Sequence, residues 1–238
     1  MLTFEKASFL RLDIPSNVGL DLSALRKISE KIWGGRTPSE VLSKRFKIFV
    51  LITIVLAGMS KLLYLKGILP TNVELIIPCL VVVGSLSLYC GPTKFWRRAT
   101  RYFGLLVLIT VAITDLAFWG PSPIFVFTWS GFILCWLLAM RHKLSMFDKF
   151  KSLLWRTTLT AAAAIIIFDL YTGVLGWSLV SGTGLLTVFL SQIPFTLYHL
   201  CSLLFVPPLV GLAKVMVKVK VPVPVAIAVK SGVEVQSS

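Results

Sequence analysis

The sequence predicts an all-α membrane protein of six transmembrane helices with both termini cytoplasmic. Three observations predict it. Hydrophobic residues make up 56% of the 238 positions and charged residues only 14%, against about 25% charged in an ordinary soluble domain. Six apolar segments are long enough to cross about 30 Å of hydrocarbon. The cations are confined to alternate connections between those segments.

The segments run over 46–65, 73–90, 102–119, 122–140, 153–173 and 184–213. Turn chemistry separates them: GILPTN (67–72), Gly91-Pro92 and Gly120-Pro121-Ser122-Pro123. The last segment is too long for one straight crossing, and Pro194 and Pro207-Pro208 are expected to kink or divide it. Thr37-Pro38-Ser39-Glu40 reads as a capping-box start for the helix that leads into the first span.

Orientation follows from Lys and Arg. Residues 1–47, the connection 91–101, the stretch 141–156 and the tail beyond 213 hold all but Lys61 and Lys66 of the 24 cations. These regions share one side, and the positive-inside rule makes that side cytoplasmic. The net charge of +14 is therefore a topology signal and not a nucleic-acid surface. The chain divides into a cytoplasmic segment 1–45, a six-helix domain 46–213 and a cytoplasmic tail 214–238. In the first, Leu25, Ile28 and Ile32 beside Arg26, Lys27 and Lys31 predict a short amphipathic helix over 21–33. The opening MLTFEKASFLRLDIPSN is polar and mixed, so no cleavable signal is expected there. The tail alternates like a strand, but Pro222 and Pro224 oppose one.

Polar residues inside the spans are the candidate site. An ionised Asp in hydrocarbon costs at least about 2.5–3.5 kcal/mol, so it needs compensation. Asp169 follows AAAAIII in the fifth span, about 24 Å from its cytoplasmic start at 1.5 Å per residue, and Asp115 lies about 20 Å along the third. The two segments resemble each other: Arg101 precedes TDLAFWG as Arg156 precedes FDLYTG, and such internal repeats point at shared transporter sites. On a straight sixth helix Gln192 is near the level of the two aspartates, and His199 is about 10 Å deeper. The expected outward cluster is Asp115, Asp169 and Gln192, with Trp119, Trp129, Tyr171 and Trp177 nearby. Each Asp alone also fits a wetted helix end, Trp119 and Trp177 also fit interface aromatics, and Tyr198-His199 also fits an interior hydrogen bond. The alanines 161–164 predict a close helix–helix approach.

Other chemistries lack their motifs. The chain holds no phosphate loop, no His-Glu-x-x-His, no Gly-x-Ser-x-Gly and no Asp-Asp-x-x-Asp. Cys79, Cys90, Cys135 and Cys201 lie in apolar segments without metal spacing, and the two histidines include His142 in a basic loop. Neither an enzyme nor a cofactor is expected.

TDLAFWGPSP with FVFTWSGFILCWLLAMRHK, FDLYTGVLGW, and LSQIPFTLYHLCSLLFVPPL together resemble the third to sixth spans of archaeal-type S components of energy-coupling-factor (ECF) transporters. The likeness covers about 105–210. The alanines that the family carries in its first span fall here in the fifth. The resemblance implies a membrane-embedded subunit that captures a vitamin-like small molecule at the outer face of the cell membrane. It implies a membrane scaffold subunit and two ATPase subunits as partners. Asp115 and Asp169 then serve as polar contacts or loop anchors, Gln192 as a hydrogen-bonding contact, and Trp119, Tyr171 and Trp177 as stacking walls, with His199 a further contact. A self-sufficient carrier and a non-transporting membrane scaffold protein are the alternatives.

Overall fold

The computed structural model describes residues 38–68, 75–87, 102–144 and 148–217. All its elements are helical, and among the described residues there is no strand. The expected helix at 21–33, the connection 91–101 and the tail beyond 217 lie outside the described residues.

α1 (Pro38–Leu65) begins at the proline of the expected capping pattern, where a missing N–H leaves no helical bond unmade. α2 (Ile76–Ser87) is next, then α3 (Phe103–Trp119) and α4 (Ile124–Arg141). α5 (Phe150–Phe168) runs without a break through a π-helical segment, Asp169–Gly176, into the short α6 (Trp177–Ser181). α7 (Leu185–Leu200) passes through a 3-10 turn, Cys201–Phe205, into α8 (Val206–Val217).

Four stretches are long and apolar enough to cross a membrane: Lys44–Leu65, Ile124–Arg141, Phe150–Ser181 and Leu185–Met216. Ile76–Leu86 and Phe103–Trp119 are shorter apolar helices. The chain is an α-helical membrane protein. Its outer surface carries Leu51, Val55, Ile109, Ile113, Leu159 and Ile166 exposed, a face that suits hydrocarbon and not water.

The centre of the bundle is α2. Its sequence, IIPCLVVVGSLS, is apolar all round, the pattern of a helix buried on every side. Ile76, Ile77, Leu80, Val81, Val82 and Val83 are sealed from solvent, and α1, α3, α4, α5 and α8 pack around it. Lipid supplies no hydrophobic drive between helices, so close backbone approach does that work. A Cβ on Gly84 would lie 2.9 Å from Ala139 Cβ, and one on Gly104 would lie 2.0 Å from Trp136 Nε1. Both glycines let α4 lie against its neighbours. Ala161 and Ala164 are fully buried on α5, and Cys135 Sγ on α4 donates to Ala164 O at 3.4 Å.

Two features depart from the sequence expectation. The fifth span does not turn at Gly173. The helix continues to Ser181 and reverses through 182–184, where Gly182 adopts φ +69°, a left-handed conformation glycine takes without strain. Gly173 instead packs: a Cβ there would lie 2.5 Å from Gln192 Cδ. In the sixth span Pro194 stays inside α7, and the division falls in the 3-10 turn Cys201–Phe205, directly before Pro207-Pro208 in the first turn of α8, where proline is tolerated.

One basic side chain joins two helix ends. Lys214 near the end of α8 donates to the backbone oxygen of Asp148, just before α5, and Arg141 ends α4.

Gly104→Ala is expected to destabilise the fold by about 1–3 kcal/mol, because Trp136 fills the space the methyl would need. Denaturant unfolding of the protein in mixed micelles measures this, and a wild-type unfolding free energy would contradict the packing.

Candidate functional site

Hydrocarbon forces each charge in a span to find a partner within the bundle. Two such arrangements are present among the described residues.

The first joins α1, α3 and α4. Lys61 and Asp115 each lie one turn before the end of their helices, at Leu65 and Trp119. Lys61 Nζ is 3.0 Å from Asp115 Oδ1, and Trp129 Nε1 donates to Oδ2 at 3.1 Å. Both charged residues are buried. Oδ1 makes no geometrically ideal hydrogen bond, yet the ammonium at 3.0 Å neutralises it as an ion pair. The Lys61 ammonium also lies 5.3 Å from the centre of the Tyr64 ring. Asp115 is thus an anchor between three helices, compensated from two sides.

The second joins the π-helical segment to α7. His199 Nδ1 lies 2.9 Å from Asp169 Oδ1, with the two residues only 4% and 3% exposed. The other carboxylate oxygen, Oδ2, has no hydrogen-bond partner. Phe168 stacks on Phe132, with centroids 4.6 Å apart, and meets the His199 ring edge-on at 6.0 Å. Around this pair α4 is tied to the π-helical segment. Tyr171 Oη and Ser130 Oγ are 3.1 Å apart, and Thr172 Oγ1 donates to Phe127 O at 3.3 Å. Small residues permit those contacts. A Cβ on Gly131 would lie 2.7 Å from Thr172 Oγ1, and one on Gly176 would lie 2.7 Å from Phe127 Cγ. Single π-helical segments inside α-helices occur frequently at functional sites.

Beside the pair, on the surface of the bundle, the seam between α5 with its π-helical segment and α7 opens into a groove of about 300 Å³. Ile166, Leu170 and Val174 form one wall, and Phe189, Ile193 and Leu197 the other. Gln192 and Thr196 are its polar residues.

The expected residues therefore separate. Asp169 and His199 meet directly. Gln192 lies against Gly173, about a turn closer to the 182–184 reversal, and lines the groove. The levels differ from the straight-helix estimate because the fifth helix continues to Ser181, which puts Asp169 well inside the helix and opposite His199. Tyr171 contacts α4 through Ser130 and through Phe127, 5.8 Å between ring centres. Asp115 belongs to the other arrangement. Trp119 and Trp177 are 58% and 52% exposed on the outer surface. Sequence reasoning missed Lys61 as the partner of Asp115, and missed Ser130, Thr172 and Thr196. The signal for Lys61 was present: a cation inside an apolar helix, as far from its helix end as Asp115 is from its own.

Among the described residues, no group of His, Cys, Asp or Glu is arranged to hold a metal ion. No protein-family model matches this chain, and no characterised protein or solved structure matches it.

Lys61→Met is expected to destabilise the fold by about 3–5 kcal/mol, since it leaves Asp115 buried without its counter-ion. Adding Asp115→Asn should restore most of that loss while Trp129 keeps an acceptor. Unfolding free energies in mixed micelles test both steps, and a double variant as unstable as the single one would contradict the pairing.

Proposed function

We propose that this chain is the membrane-embedded substrate-binding subunit of an ECF-type uptake transporter. In this reading it crosses the cell membrane six times, with both termini cytoplasmic, and captures a vitamin-like small molecule. The two shorter apolar helices supply the second and third crossings. The meeting of the basic helix ends at Lys214 and Asp148 supports one cytoplasmic side.

The observation that carries the reading is the Asp169–His199 pair at the π-helical segment of a long membrane helix, with Gln192 about two turns before His199 on α7. An intramembrane ionisable residue is by default a functional residue, and irregular backbone at membrane depth belongs where protein or a cavity satisfies it. The sequence offers a binding arrangement and no nucleotide or catalytic motif, so a subunit driven by others suits it. Its partners are then a membrane scaffold subunit, two ATPase subunits, the bilayer and the small molecule, with no nucleic acid, no cofactor and no reaction of its own. Asp169, His199, Gln192 and Tyr171 are the residues nearest to such a site. Asp115 holds its helices together, and Trp119 and Trp177 serve as interface aromatics.

One observation favours a second reading, a self-sufficient carrier. A buried Asp–His pair with a free carboxylate oxygen is a group of the kind used in proton relays.

Extraction from its own cells in mild detergent, followed by mass spectrometry of what copurifies, separates the two. The ECF reading expects two ATPases and a second membrane subunit in stoichiometric amounts. Recovery of the chain alone would overturn it in favour of the solitary carrier.

A further inference from the structure

Two contacts fix which helix ends share a side of the bundle. Lys61, Asp115 and Trp129 meet near the end of α1, the end of α3 and the start of α4. The start of α1 and the end of α4 therefore lie at the opposite side. Lys214 brings the end of α8 to the start of α5, and α5 follows α4 after residues 142–149. Of the eleven Lys and Arg among the described residues, all but Lys61 and Lys66 belong to these four helix ends. Glu40 and Asp148 are the acids described there.

One face at this side joins cations to hydrocarbon. On α5, Lys151, Trp155 and Leu159 follow at intervals of four, with Ser152 and Arg156 beside them, so the five form one stripe. All five are exposed, Trp155 at 65%. Arg156 lies about 10 Å along the helix at 1.5 Å per residue. Its guanidinium is nevertheless 4.0 Å from Oδ2 of Asp148, which precedes the helix. The side chain thus turns back along α5 and carries its charge to the level of Lys151. Asp148 does not cancel that charge. At 4.0 Å, between side chains 50% and 38% exposed, such a pair is worth little. Below the two cations Trp155 offers the amphipathic ring that settles at headgroup depth. Leu159 and Ile166, seven residues apart on one face, continue the exposed stripe into hydrocarbon. A soluble anion would match the cations alone and leave Trp155 and Leu159 uncovered. A phosphate that carries acyl chains matches the whole stripe.

We propose that this face of α5 binds an anionic phospholipid. The Arg156 guanidinium, the Lys151 ammonium and the Ser152 hydroxyl donate to the headgroup phosphate. Trp155 lies beside the glycerol, and the acyl chains run along Leu159 and Ile166. The inference rests on the chain being a membrane protein and not on the transporter reading.

The test uses the full chain in phosphatidylcholine nanodiscs that contain a minority of photoactivatable lipid, with peptide mapping of the adducts. The probe is phosphatidylglycerol with a diazirine near the start of one acyl chain, against phosphatidylcholine labelled the same way. Residues 150–160 are expected to take the phosphatidylglycerol probe about tenfold more than the phosphatidylcholine probe, the preference two basic residues give near an anionic headgroup. The double variant Lys151→Gln, Arg156→Gln should remove that preference, while phosphatidylcholine labelling of the same peptide stays unchanged and shows that the variant is folded. The variant Lys47→Gln, Lys143→Gln loses the same charge from exposed positions on other helix ends and should keep the preference. Inorganic phosphate in place of chloride at equal ionic strength should leave labelling unchanged. Equal labelling by the two probes would overturn the proposal. An equal loss in the Lys47, Lys143 variant would overturn it in favour of diffuse attraction by the basic side. Displacement by inorganic phosphate would overturn it in favour of a soluble anion. None of these outcomes depends on whether ATPase subunits copurify, so this inference and the transporter reading fail separately.

Discussion

The bundle depends on the hydrogen bond between Asp169 and His199. A carboxylate at that depth has no water to turn to, and its burial is tolerated only with a partner at bonding distance. His199 supplies that partner at 2.9 Å, and so fixes α7 against the long fifth helix. Much of the local geometry serves this contact. Phe168 covers the imidazole edge-on while it stacks on Phe132, and the π-helical segment begins at Asp169 itself. The second ion pair plays the same part elsewhere. Lys61 and Asp115 join α1 to α3, and Trp129 adds α4.

Between these polar pins the helices are held by shape. Gly84, Gly104, Gly131, Gly173 and Gly176 each stand where a neighbouring side chain occupies the space of a Cβ. With Ala161 and Ala164 they form the small-residue contacts that replace the hydrophobic effect in lipid. The result is a bundle with α2 sealed at its centre and a groove along the α5–α7 edge.

Much of this was legible in the sequence. Apolar length gave the helices, and Pro38 behind Thr37 marked the start of α1. The run IIPCLVVVGSLS, apolar on every face, marks α2 as the buried helix. The intramembrane aspartates were visible as anomalies, because hydrocarbon makes them so. Their partners were harder to read. Pairing Asp169 with His199 requires knowing where the fifth helix ends. Gly173 read as the end of the span, but it is there for close packing, as is Gly176, and the reversal comes later at 182–184. That displacement moved Asp169 away from the helix end and changed which α7 residue faces it. A glycine in a membrane helix has two uses, and periodicity does not tell them apart. The exposure of Trp119 and Trp177 depends on helix rotation, which a helix apolar on most of its faces does not encode.

The most direct test of the account is the coupling between Asp169 and His199. Unfolding free energies of Asp169→Leu, His199→Phe and the double variant, measured in mixed micelles, give it as a double-mutant cycle. A bonded pair sealed in hydrocarbon predicts that each single variant strands its partner, and that the double variant is more stable than the sum of the two losses by at least about 1 kcal/mol. Losses that add to within about 0.5 kcal/mol would mean that the two residues act independently, and that the contact on which the bundle is argued to depend does not hold it together.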